Sequence, residues 1–227
     1  MSWVKTQLAP GTHISCDPAM CQALTSRGIP NGHLYVLKPG MTNPLDSAVI
    51  VATPLLQSQI GSKLTSIYAP GLLARFGTGK QQIQVRAIAP HGVPGYMSLA
   101  KLDLAARRMS GAELAGSPGI VSSATARKEL AAGEVDSRLM TVIAGLAGTH
   151  RVDIVAFGES GPDTAIAPFR SAELVQANMR EMRRTVSQMP SPFRVAHMAS
   201  VRLSSGRLVL RIDFTAPSPF GLLGGTG

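Results

Sequence analysis

The chain has 227 residues, 44% of them hydrophobic and 15% charged, with a mean hydropathy of +0.15 and a formal charge of +9. That is enough sequence for one large core or two small ones, and it is too apolar and too weakly charged for intrinsic disorder. No run reaches the ~20 uninterrupted apolar residues of a membrane span, and Met1-Ser2-Trp3-Val4-Lys5 lacks the apolar stretch of a signal peptide, so a soluble protein or a soluble piece is expected.

In chain order, Trp3 to Leu8 reads as a short helix closed by Pro10-Gly11, and Thr12 to Cys16 reads as a strand. Asp17 is a good N-cap, Pro18 suits the first helical position, and Gly28 suits a left-handed end, which predicts a helix over roughly residues 18–27. Leu34 to Leu37 is a short strand. Ala48-Val49-Ile50-Val51-Ala52 is a continuous apolar run of the kind buried on both faces of a parallel sheet. Thr53-Pro54 repeats the cap-and-proline device and starts a helix that Gly61 ends. Ile83 to Ile88 alternates as a strand with one wetter face.

Pro90-His91-Gly92-Val93-Pro94-Gly95 can continue neither a strand nor a helix and marks the expected boundary between two units. Beyond it, Tyr96, Leu99, Leu102, Ala106 and Met109 fall at helical spacing and predict a stripe that packs on a neighbour. Ser123 caps a helix that Gly133 ends, and Asp136 caps the next, with Leu139, Val142, Ile143 and Leu146 on one face. Val152 to Phe157 is the strongest strand of this half. A long helix is expected from about Arg170, because Val175, Met179, Met182, Val186 and Met189 recur in steps of four and three. Arg194 to Ala199 and Arg207 to Phe214 predict a hairpin about Ser204-Ser205-Gly206.

The fold class expected is therefore α/β in two small units. The first, residues 1–93, has a largely parallel sheet; the second, residues 94–216, has a mixed sheet with a C-terminal hairpin; residues 217–227 form an irregular tail.

Cys16 and Cys21, the only cysteines, fall on the residue before the N-cap and on the fourth helical position, the two ends of a hydrophobic staple. Two small buried thiols would satisfy that geometry, and so would a disulfide, which is the expectation here. The histidines, His13, His33, His91, His150 and His197, are isolated in sequence, with no second pair at ligand spacing, so no metal site is expected. Gly77-Thr78-Gly79-Lys80 fails as a phosphate loop at Ala74 and at Gln81 and reads as a turn. Gly158-Glu159-Ser160-Gly161 resembles a nucleophile elbow one residue short, but Pro162-Asp163 makes it a loop. Glu159 and Asp163 lack the aromatic platform that glycoside chemistry favours. No catalytic residue and no cofactor follow. The residues left as a ligand loop are Glu159, Ser160, Asp163 and Arg170.

Residues 1–96 hold seven Lys/Arg against two Asp/Glu, and residues 97–227 hold fifteen against eleven. The cations are scattered and aromatics make up 4%, which speaks against a nucleic-acid footprint; diffuse positive charge suits an anionic envelope surface.

Cys16-Asp17-Pro18-Ala19-Met20-Cys21-Gln22-Ala23-Leu24, with Ala48 to Thr53 and Ile67-Tyr68-Ala69-Pro70, resembles the soluble extracytoplasmic tails of multi-pass actinobacterial membrane proteins, glycosyltransferase-like ones among them. The stretch Ile120 to Phe157, through Ala126-Arg127, Leu130-Ala131-Ala132-Gly133, Val135 to Leu139 and His150-Arg151-Val152, is similar to a helical segment of secreted proteins related to D-Ala-D-Ala peptidases. Gly158 to Pro162 supplies none of the metal-binding histidines those enzymes carry next. The resemblance implies an envelope-facing location and a fold without the catalytic metal. The expectation for function is a non-catalytic extracytoplasmic domain that binds a cell-envelope glycan or a protein partner, tethered to membrane spans outside this sequence. The rival is an accessory domain of a membrane glycosyltransferase that holds a glycan or lipid-linked acceptor.

Overall fold

Two five-stranded sheets carry the chain, which a computed structural model describes over residues 2–38, 40, 43–158 and 166–223. The fold is mixed α/β and divides into two units between Leu99 and Ala100. Residues up to Leu99 belong to the first, and those from Ala100 to Gly158 and from Ala167 onward to the second.

The first unit opens with helix α1 (Ser2–Gln7), strand β1 (Ile14–Cys16), helix α2 (Pro18–Thr25), strands β2 (Leu34–Val36) and β3 (Val49–Ala52), helix α3 (Pro54–Ile60) and strands β4 (Gly71–Phe76) and β5 (Ile83–Ala87). Its strand order is β2-β1-β3-β5-β4. β1 runs parallel to both β2 and β3, whereas β5 is antiparallel to β3 and to β4. β3 explains why the sheet needs cover on both sides. Ile50 and Ala52 pack with Leu56 and Ile60 of α3, while Val49 and Val51, equally buried, point to the opposite face. The caps follow the sequence: Asp17 accepts from Met20 N at 2.9 Å and Thr53 from Leu56 N at 3.4 Å. β4 has no clear sequence signal because its register shifts between Leu72 and Ala74, and the bulge breaks the alternation that marks a strand.

Helix α4 (Val93–Gly116) contains the division between the units. The second unit continues with strand β6 (Ile120–Ser122), helices α5 (Ala124–Ala131) and α6 (Ser137–Ala147), strands β7 (Val152–Gly158) and β8 (Ser171–Gln176), helix α7 (Met179–Ser187) and the hairpin β9 (His197–Arg202) and β10 (Leu208–Asp213). The strand order is β6-β7-β8-β10-β9, with one parallel pair, β6 with β7, and three antiparallel pairs. Leu139, Ile143 and Leu146 of α6 and Met182 and Val186 of α7 bury one face of this sheet together with Ile154, Leu174 and Ile212.

Two expectations are corrected here. The long helix from Arg170 does not exist: Ser171 to Gln176 is β8, and α7 starts only after the Asn178 cap. Ala172, Leu174 and Gln176 are buried while Glu173 and Val175 are half-buried, a period of two; Val175 matched the helical spacing of the following methionines by coincidence. In α4 the buried line is Asp103, Arg107 and Gly111, and the apolar Leu99, Leu102 and Met109 face outward. Hydropathy predicts burial of the apolar stripe, whereas the interface is built from a salt bridge and a close backbone approach.

Candidate functional site

At the carboxyl ends of β1 and β3 the chain leaves the sheet in opposite directions, towards β2 on one side and towards β4 on the other. Such switch points are where open α/β sheets bind ligands. Here the position is filled from within. The Asp17 carboxylate is buried, caps α2, and accepts a second hydrogen bond from the Thr53 hydroxyl, which caps α3. An anionic ligand would meet this carboxylate at both helix starts. Beside it the Cys16 and Cys21 sulfurs lie at bonding distance, 1.98 Å, with their Cα atoms 5.4 Å apart. The staple geometry accounts for the proximity: strand end and first helical turn bring the two side chains together.

In the second unit two buried clusters hold the chain after β10. Asp103 binds Arg107 Nε at 2.7 Å and accepts from Ser137 Oγ at 3.4 Å and from Gly221 N at 3.1 Å. Arg107 in turn donates to the carbonyl of Gly133, whose positive φ of 71° ends α5. Asp136 caps α6 through Arg138 N at 2.8 Å and receives Arg138 Nε at 3.0 Å and its terminal nitrogen at 2.7 Å. The same guanidinium donates to Thr215 O at 2.8 Å and lies 4.8 Å from the centroid of Phe214. Burial pushes the Asp136 carboxyl up, but the hydrogen bonds and charge of Arg138 outweigh it and hold the group below its ordinary range. These charges are saturated by one another and by backbone.

A differently disposed pair sits at the end of β7. The register of β7 on β8 shifts between Ile154 and Ala156, leaving Val155 as the extra residue. Past this bulge, Ala156, Phe157, Gly158, Ser171, Glu173 and Arg211 are among the residues that line a cleft of about 130 Å³. Glu173 and Arg211 are directly opposite on β8 and β10 and pair at 2.6 Å. The Arg211 side chain is 39% exposed and that of Glu173 14%; Arg211 Nε, which has no hydrogen-bond partner among the described residues, is itself buried. The cleft is well below the ~300–1,000 Å³ of small-molecule pockets. One polar group of a larger ligand fits it, not a whole small molecule in a pocket of several hundred Å³. A partly exposed guanidinium beside a carboxylate brings together the two kinds of partner that a hydroxyl needs.

Of the ligand loop expected from sequence, Glu159, Ser160 and Asp163 lie outside the described residues. Arg170 is buried at the entry to β8, where its carbonyl accepts from Phe214 N at 2.9 Å. Two of the histidines meet and the other three stand apart. His13 stacks on His33 at 5.7 Å, His91 is exposed, and His150 meets Glu181 at 3.3 Å. Ser171, Asp213 and His197 are register partners across β8, β10 and β9. The carboxylate stands between the hydroxyl and the imidazole, whereas a serine hydrolase needs the imidazole between the other two. Asp153 is held by Arg207. Among the described residues no three of His, Cys, Asp and Glu gather at metal-binding distance, and no helix is long and apolar enough to cross a membrane.

Glu173 and Arg211 were not among the residues expected from sequence. Reading residues 170–176 as helix concealed the pairing; the alternation of Ser-Ala-Glu-Leu-Val-Gln was the available signal. No family model, no curated protein and no solved structure matches the chain.

Proposed function

We propose that the chain is a non-catalytic extracytoplasmic domain that binds a glycan component of the cell envelope. The observation that carries this is the Glu173–Arg211 pair in its small open cleft. The buried carboxylates Asp17, Asp103 and Asp136 hold helix starts and neighbouring segments, while this pair borders an open cleft and its Arg211 side chain is 39% exposed. Sugar hydroxyls need such adjacent acceptors and donors, and a cleft that takes one group at a time suits a polymer lying across the sheet. The Cys16–Cys21 disulfide supports an oxidising compartment, and the net charge of +9 suits an anionic surface.

The test is binding of muropeptides, soluble envelope polysaccharide and lipid-linked oligosaccharide, followed by saturation-transfer NMR, to the wild type and to Arg211→Ala. Glycan binding lost in Arg211→Ala with an unchanged circular dichroism spectrum supports the proposal. Preference for the lipid-linked form would make the domain the acceptor-holding arm of a membrane glycosyltransferase. Turnover of any of these ligands, or binding unaffected by Arg211→Ala, contradicts it.

A further inference from the structure

The fully buried line of helix α4 is polar or small, and two of its large apolar side chains face water. Its buried line, Asp103, Arg107 and Gly111, faces α5 and the segment after it: Arg107 reaches Gly133 O, and a Cβ on Gly111 would stand 2.0 Å from Leu130 O. The opposite side carries Leu102 and Met109, 68% and 69% exposed, with the exposed Ala105 and Ala112 between and beyond them. Two such side chains left in water forgo the free energy of burial, so a contiguous exposed stripe of this kind marks an interaction surface.

The spacing specifies the partner's shape. Leu102, Ala105, Met109 and Ala112 advance by three, four and three residues, the rule of a two-helix seam, with Leu and Met at one core position and Ala at the other. A lipid-facing helix has a broad bulky face, whereas alternation with alanine makes a narrow groove into which another helix backbone settles. The buried line lies on the far side of the helix from this seam, so the unit packed behind α4 does not obstruct it.

The flanking charges specify which helix. Lys101 and Arg108 occupy one flank and Ala106 and Glu113 the other. In a parallel, in-register pair each flank meets the opposite flank of its mate about five residues on, which sets Arg108 against Glu113 of the second copy, twice by symmetry, and Lys101 against Ala106. In an antiparallel pair centred on Ala105, like flanks meet, and Lys101 would face Arg108 of the second copy. Arg108 is exposed and holds Ala132 O through Nε at 3.3 Å; Glu113 is exposed as well. We infer that α4 is a homodimerisation helix, pairing with α4 of a second copy of this chain in parallel register.

The contact spans about two heptads and falls at the small end of specific interfaces, below ~1,200 Å², so association in the micromolar range is expected. Sedimentation equilibrium of the full chain from about 1 to about 500 µM should show the mass doubling with concentration. Leu102→Glu with Met109→Glu should stay monomeric throughout while retaining the wild-type circular dichroism. Arg108→Glu should weaken the dimer about tenfold, and Arg108→Glu with Glu113→Arg should restore it. Ala112→Cys should give a disulfide-linked dimer under mild oxidation, because only parallel register brings the two Ala112 positions together. A wild type monomeric at the highest concentration, a Leu102→Glu/Met109→Glu variant that still dimerises, or a charge swap without rescue overturns the inference. So does a monomer that instead binds phosphatidylglycerol vesicles through these residues.

Discussion

Arg138→Ala removes one partner of a buried ion pair and one clamp on the chain after β10. Asp136 is fully buried and would keep only the Arg138 backbone N–H at 2.8 Å of the three contacts it makes with that residue. An uncompensated buried carboxylate costs about 3–5 kcal/mol, a large share of the 5–15 kcal/mol that holds a typical fold. Thr215 O would lose its donor at 2.8 Å and Phe214 the cation 4.8 Å from its ring, so the chain beyond Asp213 should become cleavable by a non-specific protease. Urea unfolding followed by circular dichroism measures the loss. The control is Asp136→Asn with Arg138→Met, which keeps an N-cap and leaves no charge; it should cost less than about 2 kcal/mol. The pH dependence should differ in sign. In the wild type the folded-state pKa of Asp136 is depressed, so its contribution is present above the ordinary carboxylate value near 3.9 and is lost as pH falls through the folded value. In Arg138→Ala the two largest lowering causes are gone and burial opposes only the Ser218 and backbone hydrogen bonds, so the pKa rises and the variant should recover stability between neutral pH and about pH 4. A cost under about 1 kcal/mol, or a double variant as unstable as the single one, would refute the reasoning.

Gly111→Ala places a methyl 2.0 Å from Leu130 O and should lower stability by at least about 1–3 kcal/mol, although the same change in an exposed helix raises it; a raised melting temperature would contradict the close approach. Cys16→Ala with Cys21→Ala should cost about 2 kcal/mol from the entropy of the short loop, five residues in sequence separation, and reductant should reproduce the drop in the wild type alone. Tyr96 has its hydroxyl pushed up by burial and partly drawn back by Arg86; ultraviolet titration of Arg86→Met should therefore show one tyrosine ionising later than in the wild type, and no change would disprove the coupling.

The first sheet was readable because its signals are local. Asp17-Pro18 and Thr53-Pro54 state where helices start, and the run from Val49 to Ala52 states that a strand is covered on both faces. The disulfide was accessible for the same reason, since one strand-to-helix corner places both cysteines. What sequence concealed depends on partners far along the chain. Gly111 and Asp103 gain meaning only from Leu130, Ser137 and Gly221, and Glu173 only from Arg211, which is brought opposite it by the β8–β10 pairing. The outward apolar side of α4 shows the same limit. Hydropathy states that Leu102 and Met109 want burial, but not that the second unit turns Arg107 inward in their place.

The central claim is that this domain faces the outside of the cell envelope, and amine labelling tests it most directly. Intact cells making the native protein are treated with a membrane-impermeant amine reagent, and the modified lysines are mapped by mass spectrometry. Lys5, Lys63 and Lys128 are exposed and should be modified in intact cells to the same extent as after lysis. Modification of these lysines only after the membrane is broken would place the domain inside and contradict the account.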